Sequence, residues 1–322
     1  MNKSLLPTPY SLLPIFLLFA CTTSTKVPEL SLLERGIFPL DKGATAYALV
    51  DVPRARPILE GLSFIPVNDK NIKPMLDKTR SAVIAVYSPT SAEDRRYQLV
   101  SWGAYPASGS SIAFDTNKNW TKQRSASSNA IYWHSDKAQM SVAVSPSQAF
   151  VLVAMTNTPH DPVPASEGIK IPDGFGEFAR DAVFSCWLSN PGPALNQKLR
   201  GMGLPLEIPA EKLFIRMFPA EGQAPASQTK FEAHIKITLA GETQARTIIS
   251  LLSLARAFMP PPTPPSPSEA SDSQDAAAQK NAAMMVYLLF ANPVAQEGAS
   301  LLFTLPPLSA REISLLFSMF SL

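Results

Sequence analysis

The spacing of apolar residues changes repeatedly along the chain, and each change predicts an element. Alternating or continuous apolar runs read as strands, and recurrence at three and four residues reads as helix. Ala46 to Val52 is the first strand-like run, with aromatic and β-branched content, and Pro53 ends it. Arg54 to Leu62 reads as a short helix with Ile58, Leu59 and Leu62 on one face, and Asn71 to Lys78 as a second. Ser81 to Tyr87 is a nearly continuous apolar strand, and Tyr97 to Tyr105 is another. Ser108 to Trp120 carries a weak helical pattern. Ala130 to His134 and Met140 to Val144 predict a hairpin around Ser135, Asp136 and Lys137, and Ala149 to Met155 a further strand.

A similar order then begins again. Ala182 to Leu188 is a strand, and Pro191 and Pro193 introduce a helix through Leu199 to Met202. The segment from Pro209 through Phe218 fits helix or strand. Lys230 to Leu239 alternates as a strand, and Glu242 to Met259 is a strong helix. Ala283 to Phe290 and Ala299 to Leu305 read as antiparallel strands around a turn with Pro293 and Gly298, and a last helix starts at Ala310. The expected fold is α/β of the α+β type. It consists of two related two-layer domains, each a mostly antiparallel or mixed sheet packed by helices. The first domain spans 44–157 and the second 180–322, joined by a linker at 158–179 rich in proline, glycine and acidic residues. Strands so separated by helices do not make a pure sandwich, and they are too irregular for an outer-membrane barrel, which needs many successive alternating segments with short turns. The proline-rich tract 260–279 interrupts the second domain as a disordered loop, either a surface insertion or a segment that a partner reads.

Two helices carry apolar arcs too wide for the surface of a two-layer domain. In Glu242 to Met259 a stripe of Ile248, Ile249, Leu252, Ala255 and Met259 is widened by Leu251, Leu254 and Phe258. In the last segment Ser309 and Glu312 fit a capping box. There Ile313, Leu316, Phe317 and Phe320 oppose a narrow serine-rich face. Such helices are sandwiched between layers, line a cavity for an apolar ligand, or lie in a bilayer interface. The residues put forward for lipid or membrane contact are Ile248, Leu252, Phe258, Ile313, Leu316, Phe317 and Phe320.

The amino terminus narrows the location. Asn2-Lys3, a mostly apolar run from Leu12 to Ala20, and small residues before Cys21 have the parts of an export signal over 1–20. The run is too short to span a bilayer, which takes about 20 apolar residues. Leu18-Phe19-Ala20-Cys21 resembles the lipobox of bacterial lipoprotein precursors. Phe19 stands where a small residue is usual, a looser pattern that resembles spirochaetal lipoproteins. The resemblance implies cleavage before Cys21, acylation of its thiol, and a lipidated tether over 21–43. It also implies a cell-envelope location, at the periplasmic face of the outer membrane. With Cys21 acylated, Cys186 has no disulfide partner within the monomer. The combination of lipid anchor, repeated α/β units and amphipathic helices resembles treponemal lipoproteins at the inner face of the outer membrane. That architecture implies membrane association or lipid handling without catalysis.

Composition agrees with an exported, core-stabilised protein. A formal charge of +2 lacks the basic excess of a nucleic-acid binder. With 46% hydrophobic and only 17% charged residues, the surface is expected to be unusually apolar.

Candidate chemistry is sparse. The three histidines are His134, His160 and His234, and no HxxxH, HExxH or CxxC spacing accompanies them, so no zinc site is expected. Glu232 and His234 fall on one strand face, two residues apart. Cys186, inside an apolar strand, reads as a small buried hydrophobe. No GxSxG elbow or phosphate loop occurs, and no cofactor is implied. Arg95, Arg96, Lys118, Lys122 and Arg124 gather at one end of the first domain, near Trp120 and Trp133. The leading reading is a non-catalytic envelope lipoprotein that binds membrane lipid through acylated Cys21, with an apolar ligand or an envelope protein as further partner. The alternatives are a periplasmic enzyme using His134, or His234 with Glu232, and an assembly component bound through the proline tract.

Overall fold

The computed structural model describes residues 40–41, 43–61, 72–87, 96–104, 112, 114–126, 129–145, 150–155, 172–201, 207–220, 229–258, 292–310 and 312–313. The fold is α+β, with antiparallel sheets and few helices. The chain divides into two compact units, Met1–Arg56 with Pro66–Arg180, and Pro57–Ile65 with Asp181–Leu322.

The first unit begins with β1 (Ala46–Asp51), the Val52–Arg56 part of α1 (Val52–Gly61), whose residues from Pro57 onward belong to the second unit, then α2 (Ile72–Lys78), β2 (Thr79–Tyr87) and β3 (Arg96–Gly103). It continues with β4 (Thr121–Arg124), β5 (Ile131–Ser135), β6 (Met140–Ser145), β7 (Phe150–Met155) and the short α3 (Phe175–Phe178). The strand order is β1-β2-β3-β7-β6-β5-β4, with antiparallel neighbours throughout. Asp51 ends β1 and caps α1, its Oδ1 accepting the Arg54 amide at 3.2 Å. Pro53 therefore sits inside the first helical turn, where its missing N–H costs nothing, and does not mark the end of the strand. Thr79, Ser81, Val83, Ala85 and Tyr87 of β2 are buried, while Arg80 and Ile84 on the other face are exposed. Buried Gln98 accepts the Asp41 amide at 2.7 Å, and the Tyr87 hydroxyl lies 2.6 Å from the same oxygen. That pair holds the residues before β1 to the sheet.

The second unit contains β8 (Phe184–Ser189), α4 (Gly192–Gly201), β9 (Ala210–Pro219), β10 (Lys230–Leu239), α5 (Glu242–Phe258), β11 (Ala295–Glu297) and β12 (Ser300–Ser309). Its strands run β8-β9-β10-β12-β11, again antiparallel. The core lies between this sheet and the two helices, with Leu199 of α4 and Ala245, Ile248 and Leu252 of α5 packed among Leu213, Ile237 and Phe303. Gly192 permits close approach of α4 to β9, since a Cβ there would meet the Ala210 carbonyl oxygen at 3.1 Å. Asn196 pairs with the Ile208 backbone in both directions, at 2.7 and 3.2 Å.

The two units share an order. A first strand leads into a helix, two strands complete an antiparallel triplet, and the unit's last strand pairs with the third strand and with its own predecessor. The structure adds to the sequence pattern at two further places and decides a third. The polar strand β4 lies in a stretch to which the sequence pattern assigned no element; between β3 and β4 the described residues hold only a helical turn near 112–115. The segment open to either reading is strand β9. The hairpin partner preceding β12 in the described residues is β11, which the pattern placed in the turn, while 283–290 lies outside the described residues.

Candidate functional site

Helix α5 starts where Gly241 releases the chain from β10, and its first turn carries Glu242. Apolar residues at 245, 248 and 252 recur at three and four, which turns one side onto the sheet. Ile248 and Leu252 are accordingly 4% and 8% exposed, on the sheet-facing side and away from the surface. The widened part of the arc faces outward, with Leu251 48% and Leu254 56% exposed. Phe258 is the last helical residue. Ile313 is fully buried, just past a reciprocal capping box in which Glu312 Oε2 accepts the Ser309 amide at 2.7 Å and Ser309 Oγ accepts the Glu312 amide at 3.3 Å. Leu316, Phe317, Phe320 and Cys21 lie outside the described residues.

Two hydroxyls beside the exposed leucines are internally satisfied. The Thr247 hydroxyl donates to the Thr243 carbonyl and the Ser250 hydroxyl to the Arg246 carbonyl, each at 2.9 Å. Glu242 and Arg246 form an ion pair at 3.5 Å one turn apart, and Arg256 stands near the other end. From Thr247 to Ala255 the helix has no charged residue. The stretch between Thr247 and Ala255 can therefore leave water without stranding a charge, and the Thr247 and Ser250 hydroxyl protons keep their partners.

Two histidines anchor polar chains, one in each unit. His134 Nδ1 lies 2.8 Å from Ser141 Oγ and Nε2 lies 3.2 Å from Asp136 Oδ1. Serine, imidazole and carboxylate are thus in line, the order used in nucleophilic hydrolases. Ser141, however, is 0% exposed, so its hydroxyl cannot meet a substrate, and the chain ties β5 to β6. His234 Nε2 lies 2.8 Å from Glu232 Oε1, and Arg216 Nη2 lies 3.1 Å from Nδ1. A guanidinium only donates, so Nδ1 accepts and Nε2–H donates to Glu232. Phe218 supports the group, edge-on to His234 at 5.8 Å and under Arg216 at 5.1 Å. This cluster contains no nucleophile. Burial pushes the Cys186 thiol up to about 12, which keeps it protonated and unreactive. Tyr47 is also raised by burial.

In the first unit Asp115 accepts the Trp133 indole N–H and the Lys122 ammonium, each at 2.9 Å. Those hydrogen bonds, the indole's first, hold its carboxyl below the ordinary 3.8. Trp120 and Trp133 are both buried, in contact with Phe114 at 4.9 and 5.0 Å. Among the described residues no group of three metal-ligating side chains occurs, and no helix is long and apolar enough to cross a membrane.

No protein-family model and no curated protein matches the sequence. Solved structures do. Crystal form III of TP0453, a treponemal outer-membrane-associated lipoprotein, is similar with a TM-score of 0.54 at 12% identity, over 89% of this chain and 98% of that one. Crystal form I of the same protein gives 0.52 at 13% identity, over 92% and 100%, and form IV gives 0.52 at 12%, over 88% and 96%. At such identities the likeness establishes a shared fold across nearly the whole of both chains.

Proposed function

We propose that this chain is a non-catalytic bacterial envelope lipoprotein, tethered through acylated Cys21 at the periplasmic face of the outer membrane and touching lipid through the outward face of α5. The observation that carries the reading is that face, with exposed Leu251 and Leu254 and the Thr247 and Ser250 hydroxyls already bonded to the helix backbone. The treponemal lipoprotein that shares the fold favours the envelope. The matching strand order of the two units favours an origin by duplication. An enzymatic reading through His134 meets a sealed serine, and one through His234 meets no nucleophile.

Burial of two half-exposed leucines contributes about 2–3 kcal/mol. That is a contact and not an anchor. The test is flotation on liposomes of the unacylated chain from Thr22 onward, which keeps every described residue. The wild-type chain should float. Leu251→Asp with Leu254→Asp should lower partitioning by roughly 30- to 100-fold, with melting behaviour unchanged. Undiminished flotation of this variant would remove α5 as the membrane element. Failure of the wild type to float would leave Cys21 as the sole contact and return attention to an enclosed apolar ligand or a protein partner.

A further inference from the structure

The basic end of the first unit has no part in the reading above. The turn after β3 is pinned to the β4–β5 hairpin by Phe114, fully buried against Trp120 and Trp133, and by Asp115, which holds Trp133 and Lys122. Two residues before Phe114, Ile112 projects 63% exposed, and the Thr116 hydroxyl donates to its carbonyl at 2.8 Å. On the hairpin, Lys122 stands opposite Trp133 and Arg124 opposite Ile131, so these four share one sheet face. Ile131 is 38% exposed. Lys118 is exposed in the turn entering β4, a turn ordered by the Asn119 amide donating to Asn117 Oδ1 at 3.0 Å. Two exposed isoleucines and three cations therefore stand on elements locked together. Asp115 opposes one of those cations, while Asp136 and Lys137 offset each other in the β5–β6 turn.

We infer that this surface, comprising Ile112, Ile131, Lys118, Lys122 and Arg124, is a contact for anionic lipid headgroups. The inference rests on the membrane reading and adds a selectivity that α5 does not supply. Isolated isoleucine side chains enter the acyl boundary while flanking cations stay with the phosphates. A net charge of +2 provides no molecule-wide field for a polyanion, so the attraction is local. Lys122 is held by Asp115 and belongs to the framework; Lys118 and Arg124 are the residues to vary.

The test compares vesicles of phosphatidylcholine alone with vesicles that also contain phosphatidylglycerol, using the same unacylated chain. The wild type should bind the anionic vesicles more tightly, and about 0.5 M salt should erase the difference. Lys118→Glu with Arg124→Glu should weaken anionic binding about tenfold or more and leave binding to phosphatidylcholine unchanged. Ile112→Ser should lower binding to both. Equal binding of the wild type to the two vesicles overturns the inference, as does a preference that survives the double charge reversal. In either case the α5 contact still stands. Binding to neither vesicle removes this inference and the membrane reading together, whereas loss through the Leu251 and Leu254 variant alone assigns binding to α5 and overturns this surface.

Discussion

The Asp115 carboxylate joins three pieces of the first unit that chain order keeps apart: its own turn, Lys122 of β4 and Trp133 of β5. Its pKa is held below 3.8 in the folded state, so the folded form binds the proton less readily than the unfolded chain. The resulting stabilisation is complete above 3.8 and is lost as pH falls through the lower folded value. Melting midpoints of the wild type and Asp115→Asn, followed from neutral into acid, should show a gap that is constant above this point and closes below it. A gap independent of pH would mean that the side chain acts only through its shape. Asp115 was not legible in the sequence, because its partners lie 7 and 18 residues away and only the hairpin register brings them together. Glu232 and His234 were legible, since a strand's period of two puts them side by side. Arg216 was not, because it comes from β9, whose own type was open.

Helix α5 separates, within one element, residues that hold the fold from residues that face outward. Leu252→Ala should destabilise by about 2–4 kcal/mol, as expected for a buried leucine that leaves a cavity. Leu254→Ala should change stability by no more than about 0.5 kcal/mol. Denaturant midpoints of the two variants check this, and similar losses at both positions would mean that the outward face is covered in solution. The strong periodicity of α5 and the alternation of β10 made those elements readable from sequence almost to the residue. Strand β4, Thr-Lys-Gln-Arg, offers no apolar alternation and exists because the hairpin partner β5 supplies its pairing. Strand β11 has only three residues, too few for a period to register, and is fixed by β12 through the turn at Gly298, where φ is +57°. The assignment of Ile248 and Leu252 to lipid contact followed from an arc too wide for one interface. The sheet takes the central stripe and leaves the flank, Leu251 and Leu254, outside.

At the scale of the molecule, anchoring and contact have different strengths and are separable. Each buried acyl methylene contributes about 0.8 kcal/mol, so the two or three chains proposed on Cys21 would far outweigh the leucine pair of α5. Residues 22–39 reach at most about 60 Å when extended, so the proposed anchor would keep the folded units near the bilayer at a high effective concentration. A weak face then engages without having to find the membrane. In cells, Leu251→Asp with Leu254→Asp should therefore leave the acylated protein in the membrane fraction while making the folded units more accessible to added protease. Cys21→Ala should release most of the protein, and the remainder should be the part that depends on α5. Combining the two changes should lower retention below that of Cys21→Ala alone, because each removes a contact that the other spared. Fractionation of the four forms decides the matter: full retention of Cys21→Ala would overturn the lipid anchor, and a combined form no more soluble than Cys21→Ala would overturn the role of α5.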